Sequence, residues 1–137
     1  MILVDTGPFV ALFDPRDGEH GRCIAFLQTI REELWTTVPV LTESFHMLGP
    51  ASRGSANLRD FVLRGGVAVW PLEGPAIRRA FELMDQYADH PMDLADASLI
   101  TAAEALATRR VFTLDRGDFS TYRVRRGRQH EAVEILG

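Results

Sequence analysis

The most informative stretch of this chain is Met92–Ile100, which reads MDLADASLI. A helix is expected to begin at Asp93, because a residue that precedes a proline, as His90 precedes Pro91, disfavours helical geometry, and because aspartate is a preferred N-cap residue. Asp96 then falls in the first turn, so both carboxylates can point from one face of the helix. Two interpretations are open: a capped helix start in which Asp96 complements the helix dipole, or part of an acidic site. Where the other acids lie decides between them.

Length and composition are those of one ordinary globular domain. The 137 residues suffice for a single core but not comfortably for two, so residues 1–137 are expected to form one domain. No apolar run approaches the roughly 18 residues of a membrane span, and the N-terminus lacks the basic start and long apolar region of a signal peptide. The single cysteine, Cys23, excludes an internal disulfide and a cysteine metal cluster. These features predict a cytoplasmic protein without a membrane partner.

Short apolar runs alternate with segments of helical spacing along the whole chain. Such alternation is typical of an α/β fold in which helices cover both faces of a mainly parallel sheet. Strands are predicted near 2–4, 34–38, 67–70, 110–114 and 133–136, and helices near 8–13, 19–33, 39–48, 55–64, 75–87 and 93–106. The residues of the helix over 75–87 that are expected to face the core are Ile77, Ala80, Phe81 and Met84.

Acidic residues follow the predicted strands in a regular way. Asp5 ends the first strand, Asp115 ends the fourth, and Asp118 lies three residues further on. The carboxyl ends of parallel strands meet at one edge of a sheet, and the helix-borne acids Glu43 and Asp96 can be brought to the same edge. The chain has no lysine to neutralise them. Converging carboxylates raise one another's pKa, and a hard divalent cation such as Mg²⁺ or Mn²⁺ would stabilise them.

In this order and on these elements, the acidic positions resemble those of the PIN domain, and most closely those of the VapC-type ribonuclease toxins of prokaryotic toxin–antitoxin pairs. The resemblance spans 2–136 and is carried by Asp5, Glu43, the run Met92–Ala97, Thr113-Leu114-Asp115 and Asp118-Phe119. It implies a single three-layer α/β/α domain with a central, mainly parallel sheet of about five strands. It also implies a Mg²⁺- or Mn²⁺-dependent endoribonuclease that hydrolyses RNA phosphodiesters, the toxin of a type II toxin–antitoxin system.

The resemblance assigns roles to individual residues. The family's catalytic acidic quartet is matched by Asp5, Glu43, Asp96 and Asp115. Three of these acids, Asp5, Asp96 and Asp115, are expected to bind the metal, and Glu43 to bind it directly or through water. Asp93 matches an accessory acid found in part of the family and is either a ligand or a cap, while Asp118 matches a more variable position. Thr6 and Thr113 match hydroxyl positions that can hydrogen-bond a carboxylate beside the site.

Positive charge is concentrated in one segment. The formal net charge is −4, yet seven arginines stand against two aspartates from Arg109 to Arg128, and eight arginines against seventeen acids elsewhere. The segment is either a solvated surface strand and loop or part of a nucleic-acid interface. Guanidinium groups pair bidentately with phosphate, and the residues expected to hold the RNA backbone are Arg116, Arg123, Arg125, Arg126 and Arg128.

Protein partners and other functions also follow from these features. The resemblance implies a cognate antitoxin that covers the acids, and a homodimer. Two helices are more apolar than a monomer requires, and an interface is expected to include some of Phe45, Met47, Leu48, Leu58, Phe61, Val62 and Leu63. Two further functions stay open: a PIN module that binds RNA without cleaving it, and a DNA-directed nuclease of the same fold. A response-regulator receiver is disfavoured because its site requires a lysine.

Overall fold

Five parallel strands form the centre of the molecule, together with seven helices and a separate two-stranded hairpin. The computed structural model describes every residue from Met1 to Gly137. In chain order the elements are β1 (Ile2–Val4), α1 (Thr6–Phe13), α2 (His20–Thr29), β2 (Leu34–Thr37), α3 (Val38–Leu48), α4 (Arg53–Leu63), β3 (Ala68–Trp70), α5 (Pro75–Gln86), α6 (Leu94–Leu106), β4 (Arg110–Phe112), α7 (Arg116–Thr121), β5 (Arg123–Arg126), β6 (Gln129–Ala132) and β7 (Glu134–Leu136). None of the helices is long and apolar enough to cross a membrane.

The strand order of the central sheet is β3–β2–β1–β4–β7, and every neighbouring pair is parallel. β1 lies in the middle, where Leu3 pairs with Trp35 of β2 on one side and with Val111 of β4 on the other. All three residues of β1 are buried, which means that both faces of this strand are covered. The predicted α/β fold with a five-stranded parallel sheet is confirmed.

The parallel arrangement brings the starts of three helices to one edge of the sheet. α1 begins just after β1, α3 directly after β2, and α7 a few residues after β4. α6 packs against β1 and β2 and also against α3 and α5. Residues 97–103 of α6 are all buried, so this helix is enclosed on every side and forms a rigid support for its own first turn.

Several element boundaries differ from the prediction because local caps determine them. The helix predicted over 19–33 ends at Thr29, since Ile30 already has an extended backbone. The helix predicted from residue 55 begins at Arg53, where the side chain of Ser52 accepts a hydrogen bond from the Ser55 N–H. The strand predicted over 110–114 ends two residues earlier.

Residues 116–132 contain three elements where only a surface strand and loop are predicted. α7 has six residues, which is too short to show a helical repeat. β5 and β6 are antiparallel and are joined by Gly127 and Arg128, and the φ of 61° at Gly127 suits a tight hairpin turn. The hairpin is not part of the central sheet. Its buried residue Val124 belongs to the main core, and β5 packs along α6.

α5 turns only part of the predicted apolar face to the core. Ala80 is buried and Met84 packs against the core as expected, but Ile77 and Phe81 are exposed, with 36% and 54% of their surfaces accessible. Leu83 and, one turn earlier, Arg79 face inward instead: Leu83 is buried, and Nε of Arg79 lies 2.9 and 3.1 Å from the two carboxylate oxygens of Glu104 on α6. This bifurcated contact, in which one N–H faces both oxygens, and the burial of Leu83 hold α5 in this rotation.

Candidate active site

The acids that follow different strands and helices share one pocket at the carboxyl edge of the sheet. The pocket has a volume of about 460 Å³, which is within the range of small-ligand sites. Its lining residues are Asp5, Thr6, Gly7, Glu43, Met47, Asp93, Asp96, Leu114, Asp115 and Asp118. The structure therefore brings together all six acids that the sequence singles out.

Asp5 is held by the neighbouring strand rather than by its own helix. It occupies the N-cap position of α1, but its side chain makes no capping hydrogen bond. Its Oδ2 instead accepts a 2.8 Å hydrogen bond from Oγ1 of Thr113, and the same Thr113 oxygen accepts one of 2.9 Å from the backbone N–H of Asp115. Burial of Asp5, with smaller contributions from the charges of Glu43 and Asp115, raises its pKa to about 6.

Asp96 lies in the first turn of α6, behind the N-cap residue Asp93. Oδ1 of Asp93 accepts a 2.8 Å hydrogen bond from the Asp96 N–H, so the predicted cap is observed. Oδ2 of Asp96 accepts a 2.9 Å hydrogen bond from the hydroxyl of Tyr122. Burial, followed by the charges of Asp93 and Asp5, raises the pKa of Asp96 to about 8.

Glu43 reaches the pocket from α3, and Thr6 from the start of α1. Burial and the charge of Asp93 raise the pKa of Glu43. The hydroxyl oxygen of Thr6 is buried and makes no hydrogen bond of standard length and angle, but it lies near the Glu43 carboxylate and opposes the rise in the pKa of Glu43. Buried polar atoms almost always have a partner, and the Glu43 carboxylate is the partner that this hydroxyl can reach.

Asp115 and Asp118 form a linked pair at the start of α7. Oδ1 of Asp115 accepts a 2.9 Å hydrogen bond from the Asp118 N–H, so Asp115 caps this helix. Nε2 of His90 lies 2.6 Å from Oδ1 of Asp118. Burial raises the pKa of Asp115, whereas contact with the Asp115 carboxyl and with His90 lowers the pKa of Asp118. His90 thus connects the loop before α6 to α7 beside the pocket.

The composition of the pocket fits a hard divalent cation. No arginine is among the lining residues, and Asp118 is the only acid there with a basic partner. The carboxylates and the Thr6 hydroxyl offer oxygen ligands only, as Mg²⁺ and Mn²⁺ prefer. No three acidic, histidine or cysteine side chains are close enough to hold one ion as they stand. Binding would therefore require the carboxylates to turn towards the centre of the pocket.

The arginines predicted to hold RNA lie outside this pocket, and three of the five have partners within the protein. Arg116 donates a 2.7 Å hydrogen bond to the carbonyl oxygen of Gly137. Arg123 donates to three carbonyl oxygens at the C-terminal end of α7, over distances of 2.9 to 3.2 Å. Nε of Arg125 is 3.8 Å from a carboxylate oxygen of Glu104. The local excess of arginine is thus partly used to hold the chain together.

β5 also runs away from the pocket along α6. The residue before β5 contacts Asp96, and Arg125 further along approaches Glu104, eight positions later in α6. Eight helical residues correspond to about 12 Å. Arg126 and Arg128 lie beyond this point at the hairpin turn, exposed and without an ion-pair partner. The structure therefore places Arg125, Arg126 and Arg128 away from the acids, whereas Arg116 directly follows Asp115 and is held by the Gly137 carbonyl.

Two residues in contact with the acids, Tyr122 and His90, carry little signal in the sequence. Tyr122 is fully buried, and the only hint of this is that it alternates with Val124 between exposed arginines. His90 stands in a loop without any periodic pattern. The packing of β5 against α6 brings Tyr122 to the site, and the contact with Asp118 on α7 brings His90 there.

This fold and this set of acids define a class of protein. Residues 2–124 match the PIN domain family, and the chain belongs to that family. Ribonuclease VapC26 of Mycobacterium tuberculosis (strain ATCC 25618 / H37Rv) is 29% identical over 128 residues, which cover 89% of this chain and 92% of that protein. The crystal structure of Mycobacterium tuberculosis VapC20, a sarcin-ricin loop cleaving toxin, has the same fold, with a TM-score of 0.79 at 19% identity over 85% of this chain and 92% of that chain. The predicted resemblance to PIN domains and VapC ribonucleases is confirmed.

Proposed function

We propose that this protein is a metal-dependent endoribonuclease that hydrolyses RNA phosphodiesters, and that it is the toxin of a type II toxin–antitoxin pair. The observation that carries the proposal is the pocket at the carboxyl edge of the sheet, whose lining carries six acids and no arginine. The relatives support the same proposal, since one is named a ribonuclease and the other a cleaving toxin.

The ligands that we assign to Mg²⁺ or Mn²⁺ are Asp5, Asp96 and Asp115, with Glu43 contributing directly or through water. Such a cation supplies an activated water and neutralises the charge that develops on the phosphate. We assign Asp93 the role of a cap that adds to the negative field, because Oδ1 of its carboxylate is engaged by the Asp96 N–H.

The contribution of the protein itself is to orient the acids and to keep them poorly hydrated. Thr113 holds Asp5 and the Asp115 backbone through one hydroxyl. Burial raises the pKa of Asp5 to about 6 and that of Asp96 to about 8. Because metal ligands must be deprotonated, binding of a cation here would release protons near neutral pH. Electrostatic repulsion among the acids supports a cation requirement.

We assign the RNA-phosphate contacts to Arg126 and Arg128, since the other three predicted arginines contact groups of the protein. Both exposed guanidiniums lie on the hairpin turn, so they would hold RNA at a distance from the cleaved bond. RNA is found in the cytoplasm, and we propose that compartment as the place of action.

We also propose a cognate antitoxin that covers the acids, and a homodimer. Of the seven apolar residues predicted at an interface, Met47 and Leu63 are 59% and 79% exposed, whereas Leu58 is fully buried. The interface would therefore use the outer parts of α3 and α4. One core cluster of 26 buried residues supports our inference that residues 1–137 act as a single domain.

The test uses the purified protein with end-labelled RNA and DNA strands of the same sequence, in Mg²⁺, in Mn²⁺ and in excess chelator. We expect cleavage of RNA only, and only with metal. Asp115→Asn should abolish cleavage without unfolding the protein, because asparagine is also a good N-cap residue. Asp85→Asn is the matched control, since Asp85 is exposed on α5 away from the pocket. RNA that is bound but left intact would identify a non-catalytic module, and cleaved DNA would identify a DNA-directed nuclease.

A further inference from the structure

A buried tyrosine stands behind one of the acids of the pocket. Tyr122 connects α7 to β5 and none of its surface is exposed. Its hydroxyl donates a 2.9 Å hydrogen bond to Oδ2 of Asp96. A core tyrosine commonly satisfies its hydroxyl with water or a backbone carbonyl, whereas this one is directed at a carboxylate that lines the candidate site.

The ring of Tyr122 cannot easily change its direction, because aromatic side chains pack edge-on against it from several sides. The rings of Tyr87 and Phe119 each lie 5.2 Å from it, centre to centre, and the ring of His90 lies 6.1 Å away. Tyr87 also holds the backbone next to Tyr122, since its hydroxyl accepts a 2.9 Å hydrogen bond from the Arg123 N–H. The phenol is thus a fixed donor.

Asp96 is consequently restrained at two points. Its backbone N–H is bound by Asp93, and its Oδ2 is bound by Tyr122. The second carboxylate oxygen, Oδ1, makes no hydrogen bond within the protein and stays available to a ligand in the pocket. Groups that bind the far side of a metal-ligating carboxylate orient it, and their loss lowers metal affinity.

We propose that Tyr122 is a positioning residue that presents Asp96 to a divalent cation in this pocket. The inference rests on the proposed function for the existence of the cation site, and it adds a residue that the acidic pattern does not contain. Tyr122 itself would contact neither the cation nor the RNA.

The chain offers a matched pair of variants for the test. Tyr122→Phe keeps the packed ring and removes the hydroxyl from Asp96. Thr108→Val is the control, because it removes a buried hydroxyl that binds the Met1 carbonyl oxygen before the start of β4, at the opposite edge of the sheet from the acids. Mn²⁺ affinity is measured by titration calorimetry, stability by urea unfolding in chelator, and RNA cleavage as a function of Mn²⁺ concentration.

We expect Tyr122→Phe to bind Mn²⁺ about 10-fold more weakly than the wild type. Its cleavage rate should fall at low Mn²⁺ and recover when Mn²⁺ is raised, while Thr108→Val keeps the wild-type affinity. Wild-type Mn²⁺ affinity in Tyr122→Phe, or an equal loss in both variants, would overturn the positioning role. A wild-type protein that binds no Mn²⁺ and cleaves no RNA would instead refute the proposed function.

A second measurement covers the case in which Tyr122→Phe fails to fold. The chain contains two tyrosines, so Tyr122 is the only one in Tyr87→Phe. With carbon-13 at the tyrosine Cζ, this variant gives one resonance. Mg²⁺, which is diamagnetic, should shift that resonance when Asp96 becomes a ligand, and a resonance unmoved at saturating Mg²⁺ would contradict the proposal.

Discussion

The Thr113 hydroxyl donates a 2.8 Å hydrogen bond to Oδ2 of Asp5 across 108 positions of the chain, and it accepts one from the Asp115 N–H. One buried oxygen therefore links the ends of β1 and β4. Thr113→Val should lower the free energy of unfolding by about 1 to 3 kcal/mol, because it leaves a buried carboxyl and an N–H without partners. Thr113→Ser should retain most of the stability. Urea unfolding in chelator measures both, and a valine variant as stable as the wild type would contradict the link.

Asp93 both caps α6 and adds negative charge to the pocket, and substitutions can separate these two roles. Asp93→Ala should reduce stability by about 1 kcal/mol, whereas Asp93→Ser should cost little, because serine also accepts a hydrogen bond at the N-cap position. Both variants remove a carboxylate whose charge helps to raise the pKa of Asp96. If Asp93 is a cap and not a ligand, Asp93→Ser will bind Mn²⁺ within a few-fold of the wild type. A loss on the scale of Asp115→Asn would make it a ligand.

The stability of the metal-free protein depends on pH because two largely buried acids, Asp5 and Asp96, have no basic partner. The pKa of Asp5 is raised from 3.8 to about 6 and that of Asp96 to about 8, so the folded state retains protons that the unfolded state has released. This contribution to stability is complete below about pH 4 and is lost as pH rises through 6 and then 8. The pKa of Asp118 is lowered, so this residue adds stability as pH rises, but only at acidic pH.

We therefore expect the urea midpoint of the chelator-treated protein to fall between about pH 5 and about pH 9. Asp96→Asn, which cannot ionise, should flatten the upper part of this decline. Saturating Mg²⁺ should reverse it, because a cation that binds the folded state alone stabilises that state more as its ligands lose their protons. A midpoint that rises over the same range would show that these acids are ionised in the folded protein at low pH.

The ion pair between α5 and α6 should matter for stability and not for activity. The Arg79 and Glu104 side chains are 17% and 12% exposed, so Arg79→Met would leave a mostly buried carboxylate with only the more distant Arg125 nearby. We expect a loss of about 2 to 3 kcal/mol. Arg64→Met is the control, because Arg64 and Asp60 are 80% and 57% exposed and such pairs contribute less than about 1 kcal/mol. Equal effects of the two substitutions would refute the distinction.

The arginines of the hairpin should divide into two groups. Arg126→Gln combined with Arg128→Gln should weaken RNA binding for all sequences and reduce the slope of log affinity against log salt by about 1.4, as expected for two phosphate contacts to a single strand. Thermal stability should not change. Arg123→Gln should instead destabilise the protein by about 1 kcal/mol, because Arg123 binds carbonyls at the end of α7. An unchanged salt slope in the double variant would favour a purely structural or antitoxin-binding hairpin.

The order of the acids along the chain was sufficient to predict the pocket, because parallel strands bring their carboxyl ends to one edge whatever the details of packing. Asp5 and Asp115 required only that β1 and β4 be strands of one parallel sheet. The support of Asp96 by Tyr122 could not be predicted in this way. It depends on the path of the chain from α7 into the hairpin and on the packing of β5 against α6, and no local sequence repeat predicts either of them.

The excess of arginine predicted the RNA-binding residues less well than the order of the acids predicted the pocket, for a related reason. A run of arginines reveals the local balance of charge, but not which guanidiniums bind groups of the same protein. Arg123 binds nearby carbonyls, and Arg125 approaches Glu104, which is distant in sequence. The inward position of Arg79 on α5 is a similar case, since its partner Glu104 lies on another helix and is not part of the local pattern of α5.

The central position of β1 affects when the pocket can form during translation. Among the strands of the sheet the middle one, β1, is synthesised first, and one of its two neighbours, β4, follows only after β2 and β3. A nascent chain that stops short of β4 carries Asp5 on an open strand edge and has no Asp115. If the pocket cuts RNA as proposed, the growing polypeptide cannot do so before β4 and Asp115 have been synthesised.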